Sequence, residues 1–232
     1  NIPEPATYYD ASKTQMDDDS FRRFASKNRA KRPKQVNAFQ VRGLRYSEDR
    51  LSVIRGNMSL SKVLQVSRSY GCTLTALLCA ALLNAVGSTV PVRMMHKPVV
   101  IAVPVNLRKY FPSVSARNFF SIVNIGRTID PINPPEIKDL AVWFGKELAR
   151  QTTLENMSAD INAYAGAESH PLARITPLPI KNIVLRYAYM NAQEKASATL
   201  SNVGVLRLPS EVERYVRSFS VCNATNKIQA CV

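Results

Sequence analysis

Two neighbouring stretches decide the fold: Thr73-Leu74-Thr75-Ala76-Leu77-Leu78-Cys79-Ala80-Ala81-Leu82-Leu83-Asn84-Ala85-Val86-Gly87, and then Pro98-Val99-Val100-Ile101-Ala102-Val103-Pro104-Val105. In the first, Thr73 can cap a helix on which Leu74, Leu77, Leu78, Ala81, Leu82 and Ala85 recur at helical spacing. Ala80, Leu83 and Val86 make that helix apolar nearly all round, so it belongs in a core. The second stretch is a continuous, largely β-branched apolar run, which predicts an interior strand covered on both faces. A buried helix leading into such a strand places the chain in the α/β (α+β) class, a mixed sheet covered by helices.

Upstream, Ser59 precedes a helical pattern running to Tyr70, and Gly71 closes it. Asn37 to Arg45 and Arg50 to Arg55 alternate apolar and polar residues around Ser47-Glu48-Asp49, which predicts a hairpin or a pair of strands. Residues 1–36 read differently. Asn1 to Gln15 carries Pro3 and Pro5 without periodicity, as a linker would. A short helix follows Asp17-Asp18-Asp19, then a basic segment to Lys34. The domain proper is expected over 37–232. Downstream come a polar loop from Asn106 to Arg117 and a second apolar strand, Asn118 to Ile129, also expected to be covered on both faces. A helix opens at Asn133-Pro134-Pro135-Glu136 with Ile137, Leu140, Ala141, Phe144 and Leu148 on one face. Helical stretches near Asn156 to Ala165 and Ile180 to Met190 flank Pro171, Pro177 and Pro179. Ala198 to Leu206, Tyr215 to Asn223 and Lys227 to Val232 read as strands. A start at Asn1 without Met, and a last strand running into Val232, give the expectation of a chain trimmed at both ends.

The 232 residues are 46% hydrophobic and 21% charged, which excludes disorder, collagen and coiled coil. The longest apolar stretch, around Ala76 to Leu83, is too short to cross a bilayer. Thirty-one Lys and Arg against seventeen Asp and Glu leave a net charge of +14, compatible with nucleic acid, acidic lipid or a phosphate-bearing small molecule. Seven of those basic residues fall between Arg22 and Lys34 with no acid among them. The rest are scattered through core-patterned segments, which argues against nucleic acid as a partner. Cys72, Cys79, Cys222 and Cys231 form no C-x-x-C pair, and His96 and His170 are too few to complete a zinc site, so no metal is expected and a reduced, cytoplasmic protein is.

Phosphate-loop, dinucleotide, nucleophile-elbow and zinc-protease motifs are all absent. Two polar clusters at strand ends remain. One is Val103-Pro104-Val105-Asn106-Leu107-Arg108, followed by Arg117-Asn118-Phe119-Phe120. For Arg108 and Asn118, a structural network tying the loop to the sheet and a functional role are both open. The other is Ala198-Thr199-Leu200-Ser201-Asn202-Val203-Gly204. Strand alternation places Thr199 and Ser201 on one face, where hydroxyls suit an oxyanion.

Pro-Val-Asn-Leu-Arg at a strand end, Asn-Phe-Phe about ten residues later and a Ser-Asn-x-Gly strand resemble the second half of the chloramphenicol acetyltransferase-like superfamily. That superfamily includes alcohol O-acetyltransferases, wax ester synthases, peptide-synthetase condensation domains and the acyltransferase cores of 2-oxoacid dehydrogenases. The resemblance runs from about Phe39 to Val232 and is nearest to bacterial alcohol acetyltransferase-like proteins. It implies one half of a two-layer sandwich, with acyl-coenzyme A as co-substrate and no tightly bound cofactor. It also implies transfer of an acyl group, most often acetyl, to an alcohol or amine. The superfamily's His-His-x-x-x-Asp-Gly motif, whose second His is the general base, does not occur in this sequence. The resemblance places it N-terminal to the elements read here, so this chain alone is expected to be inactive.

Thr199-Leu200-Ser201-Asn202-Val203-Gly204 is similar to the Thr-Ile-Ser-Asn-Leu-Gly strand of the dehydrogenase acyltransferases, where a Ser hydroxyl stabilises the tetrahedral oxyanion. By that resemblance Ser201 is the oxyanion donor and Thr199 its reserve. Asn106, Arg108, Asn118, Asn202 and Gly204 border substrate or the interface between halves. Implied partners are a small-molecule acceptor and the missing N-terminal half or another copy of the chain. The alternatives are a carrier-protein-dependent condensation domain and a non-catalytic binding module related to the acyltransferases.

Overall fold

The computed structural model describes residues 12–26, 35–43, 52–169, 175–205, 208–218, 220–221 and 228–232. The chain forms two compact units: Asn1–Gln35, Pro104–Val123 and Arg150–Met190 make the first, and Val36–Val103, Asn124–Ala149 and Asn191–Val232 the second. The class is mixed α/β, with a four-stranded mixed sheet in the order β2-β1-β3-β4. Its strands are β1 (Val99–Asn106), β2 (Phe120–Arg127), β3 (Ala198–Ser201) and β4 (Ile228–Cys231). β3 runs parallel to both β1 and β4, with Ile101 opposite Ala198 and Ser201 opposite Cys231.

In the first unit, the acidic run expected to open one short helix instead separates two, α1 (Lys13–Asp17) and α2 (Ser20–Phe24). Ser12 and Gln15 form a reciprocal capping box for α1, and the Asp19 carboxylate accepts from the Arg22 amide to cap α2. Helix α6 (Leu154–Ser169) is longer than its periodicity suggested, because the Thr153 hydroxyl caps it three residues upstream of the expected start. The core is aromatic. Phe119 is buried, with the rings of Phe21, Phe24 and Phe111 at 5.1, 6.0 and 6.5 Å, while Leu107, Met157 and Ile161 are also sealed from water. Helix α7 (Leu178–Gln193) runs from this unit into the next; Ile183 and Tyr187 on it are 69% and 74% exposed.

In the second unit, α3 (Leu60–Ser69) is followed by α4 (Leu74–Gly87) at an angle of 87°. Gly71, at φ 67°, makes the corner: its amide donates to the Arg68 carbonyl and that of Cys72 to the Ser67 carbonyl, the double bond of a left-handed helix end. Ser59 gives α3 no side-chain cap, since its hydroxyl pairs with that of Ser61. Thr73 does cap α4, accepting from the Ala76 amide at 3.2 Å. Ala76, Cys79, Ala80 and Leu83 of α4 are fully buried with Val99 and Ile101 of β1, Ala141 and Phe144 of α5 (Ile137–Gln151), and Ala198 of β3. Each fully buried Val, Leu, Ile or Phe in such a core contributes about 1.5–3 kcal/mol. Among the described residues no single helix is long and apolar enough to cross a membrane.

Three strand expectations are corrected. β2 alternates instead of being covered on both faces: Val123 and Ile125 are buried on one face, Phe120 and Ile122 exposed on the other. The segment expected to form a hairpin carries no strand over 37–43 or 52–55, and 44–51 lie outside the described residues. The amides of Ala38 and Phe39 instead donate to the carbonyls of Glu194 and Pro98. Of the strand expected from Tyr215 to Asn223, the described residues follow a short helix, α8 (Ser210–Glu213), without strand pairing; 219 and 222–223 lie outside the described residues.

Candidate functional site

β3 and the bend after it hold four of the candidate residues, all in the second unit. Ala198 and Leu200 face the core, which leaves Thr199 and Ser201 half-buried on the opposite face. Their backbones are fixed by pairing: Thr199 lies opposite Gln229, and the Ser201 carbonyl accepts from the Val232 amide at 2.9 Å. Among the described residues neither hydroxyl has a hydrogen-bond partner. β3 ends four residues into the stretch expected to run to Leu206. The cause is local: the Asn202 side-chain oxygen accepts from the Gly204 amide at 2.9 Å, and Gly204 sits at φ 81°, turning the chain. The Asn202 amide group donates to the Thr75 hydroxyl at 3.0 Å, tying the bend to the first turn of α4.

Asn106, Arg108 and Asn118 lie in the first unit. The Asn106 side chain accepts from the Arg108 amide at 3.0 Å, capping the turn that follows β1. One terminal nitrogen of Arg108 donates to the carbonyls of Ser115 at 2.8 Å and Arg117 at 2.7 Å. Arg108 thus closes the polar loop upon itself. Asn118 is exposed and lines two cavities of about 280 and 410 Å³ that share Phe21, Asn118 and Tyr164.

Sequence reading missed Phe21 and Tyr164 as lining residues, and the i,i+3 spacing of Phe21 and Phe24 was the only signal available. It also missed the short hydrogen bond from the Ser121 hydroxyl to Asp160, for which a separation of 39 residues leaves no local trace. His96 is exposed in a turn, and His170 lies outside the described residues. Among the described residues no three His, Cys, Asp or Glu side chains gather as a metal site. Burial pushes the Cys79 thiol up to about 12, so it stays protonated and unreactive in the core of α4. No protein-family model, curated protein or solved structure matches this chain.

Proposed function

We propose that this chain supplies the oxyanion-stabilising wall of an acyltransferase of the chloramphenicol acetyltransferase-like kind, which moves an acyl group from coenzyme A to a hydroxyl or amine. The observation that supports the reading is the pair of half-buried hydroxyls, Thr199 and Ser201, on one face of β3, partnerless among the described residues. They sit within the Thr-Leu-Ser-Asn-Val-Gly run that carries the resemblance, and a left-handed Gly204 ends it.

In this reading a histidine outside this sequence removes the acceptor proton, and the acceptor oxygen or nitrogen attacks the thioester carbonyl. The carbonyl electron pair moves to oxygen, where the Ser201 O–H donates to it. Collapse re-forms the carbonyl and expels the coenzyme A thiolate, which recovers the proton from the imidazolium. The partner is then the polypeptide that bears the histidine, and the compartment is the cytoplasm, which holds acyl-coenzyme A.

The test is release of free coenzyme A thiol by the complete gene product, supplied with acetyl-coenzyme A and a panel of alcohols and amines. Ser201→Ala should lower turnover about 10²- to 10³-fold, the usual effect of losing one oxyanion donor, with the acetyl-coenzyme A KM little changed. A fully active Ser201→Ala enzyme removes the serine assignment, and no thiol release with any acceptor removes the acyltransferase reading.

A further inference from the structure

The two cavities that meet at Asn118 form one cleft with an apolar end and a polar end. Phe21, Phe120, Ile122 and Tyr164 wall the larger cavity, of about 410 Å³, with Asn118 the one amide among them. Phe120, Ile122 and Tyr164 are 43%, 45% and 49% exposed, so this apolar wall is open to solvent. The wall is rigid. Phe21 stands edge-on to Tyr164 at 5.6 Å and to the buried Phe119 at 5.1 Å.

The smaller cavity brings in Arg117, and Arg117 is held in place. Its amide donates to the Ser115 hydroxyl at 3.2 Å, its carbonyl accepts from Arg108, and its Nε donates to the Met16 carbonyl at 2.8 Å. Among the described residues its two terminal guanidinium nitrogens meet no carboxylate. Asp19 lines the same cavity, but its carboxylate already caps α2 and pairs with Arg22 at 3.3 Å. The guanidinium is therefore the uncompensated charge at this end.

We propose that this cleft binds a small amphipathic carboxylate, its apolar tail between Phe21, Tyr164, Phe120 and Ile122 and its head group on Arg117 and the Asn118 amide. A planar guanidinium with two free nitrogens matches a carboxylate's two oxygens, which is why charge complementarity selects this head over a neutral hydroxyl. The cavity volumes fall near the lower end of the range for small-molecule sites. Occupancy of the cleft does not depend on acyl transfer.

The experiment is calorimetric titration of the full chain with octanoate, and with 1-octanol as an uncharged probe of equal length. Octanoate should bind saturably, one per chain, and more tightly than 1-octanol. Arg117→Gln should weaken octanoate roughly 10- to 100-fold, the worth of a hydrogen bond to a charged group, and leave 1-octanol unchanged. Ile122→Ser should weaken both probes. Asn118→Ala, at an exposed position whose side chain bonds none of the described residues, should weaken octanoate several-fold and serves where Arg117→Gln loses its fold. The proposal is overturned by any of three results: no saturable octanoate binding into the low-millimolar range, 1-octanol binding as tightly as octanoate, or octanoate affinity unmoved by both head-group variants. These readouts need no turnover, so failure here and failure of the acyltransferase reading are separate results.

Discussion

Gly126 on β2 is where one added methyl group should do most damage. A Cβ built there would stand 2.2 Å from the Val99 carbonyl oxygen, 2.6 Å from the Val100 Cα and 2.6 Å from a Val100 methyl. Two of those three neighbours are backbone of β1, which is sealed in the core with Val99 and Ile101 fully buried, so no side-chain rotation relieves the clash. The strands must part by the better part of an ångström, which weakens the pairing of the edge strand with β1. Overpacking of a close-packed core costs about 1–3 kcal/mol when side chains can adjust, and more when backbone must move. Gly126→Ala should therefore lower stability by about 3 kcal/mol or more in urea-induced unfolding followed by circular dichroism. Gly166→Ala is the matched control: nothing lies within 4 Å of its Cβ, it sits inside α6, and it should stabilise by about 0.5–1 kcal/mol. A Gly126→Ala protein within about 0.5 kcal/mol of the parent would refute the close approach of β2 to β1.

Three other perturbations follow from single residues. The Cys79 thiol is raised from 9.0 to about 12, so its contribution is present below pH 9 and is lost as pH climbs toward 12; by pH 10 the loss is on the order of 1 kcal/mol, and a Cys79→Ala protein whose stability fell just as steeply between pH 8 and 10 would contradict it. Arg108→Ala leaves the Ser115 and Arg117 carbonyls without their donor; a loss of about 1–3 kcal/mol is expected, with amide exchange accelerated between 110 and 117, and unchanged exchange there would deny the tether. Gly71→Ala places a side chain at φ 67° and should cost about 1–2 kcal/mol, whereas an unchanged melting temperature would argue against the left-handed corner between α3 and α4.

What was legible in the sequence is what short-range physics decides. α4 needs only its own residues: Thr73 to cap it, an apolar surface on every side, and no charge between Leu74 and Gly87. β1 reads equally well, because Val99 to Val103 is buried without a break and its sequence is apolar without a break. β2 was misread because Phe120 and Ile122 are as apolar as the buried Val123 and Ile125; nothing local says that one face of the strand is left uncovered. The hairpin failed for the converse reason. Alternation over 37–43 is real, but the amides of Ala38 and Phe39 are taken by carbonyls at Glu194 and Pro98, a competition between distant segments that no window of sequence contains. Phe21 and Tyr164 meet across 143 positions of chain, so the cleft they wall is equally invisible to periodicity.

The polar residues singled out from sequence divide by whether the fold already uses their hydrogen-bonding capacity. Asn106 caps a turn, Arg108 closes a loop, and Asn202 joins the β3 bend to Thr75 and Gly204. While those bonds stand, the atoms that make them are not available to a ligand. Thr199, Ser201 and Asn118 carry polar atoms that no described residue engages, yet each is fixed by its neighbours: two by strand pairing, one between Arg117 and the buried Phe119. Fixed position with free hydrogen-bonding capacity is what a binding or catalytic group requires. Substitutions at the first set should therefore register mainly in unfolding, and those at the second mainly in ligand affinity or turnover. A Ser201→Ala or Asn118→Ala protein that lost several kcal/mol of stability would place that residue with the structural set.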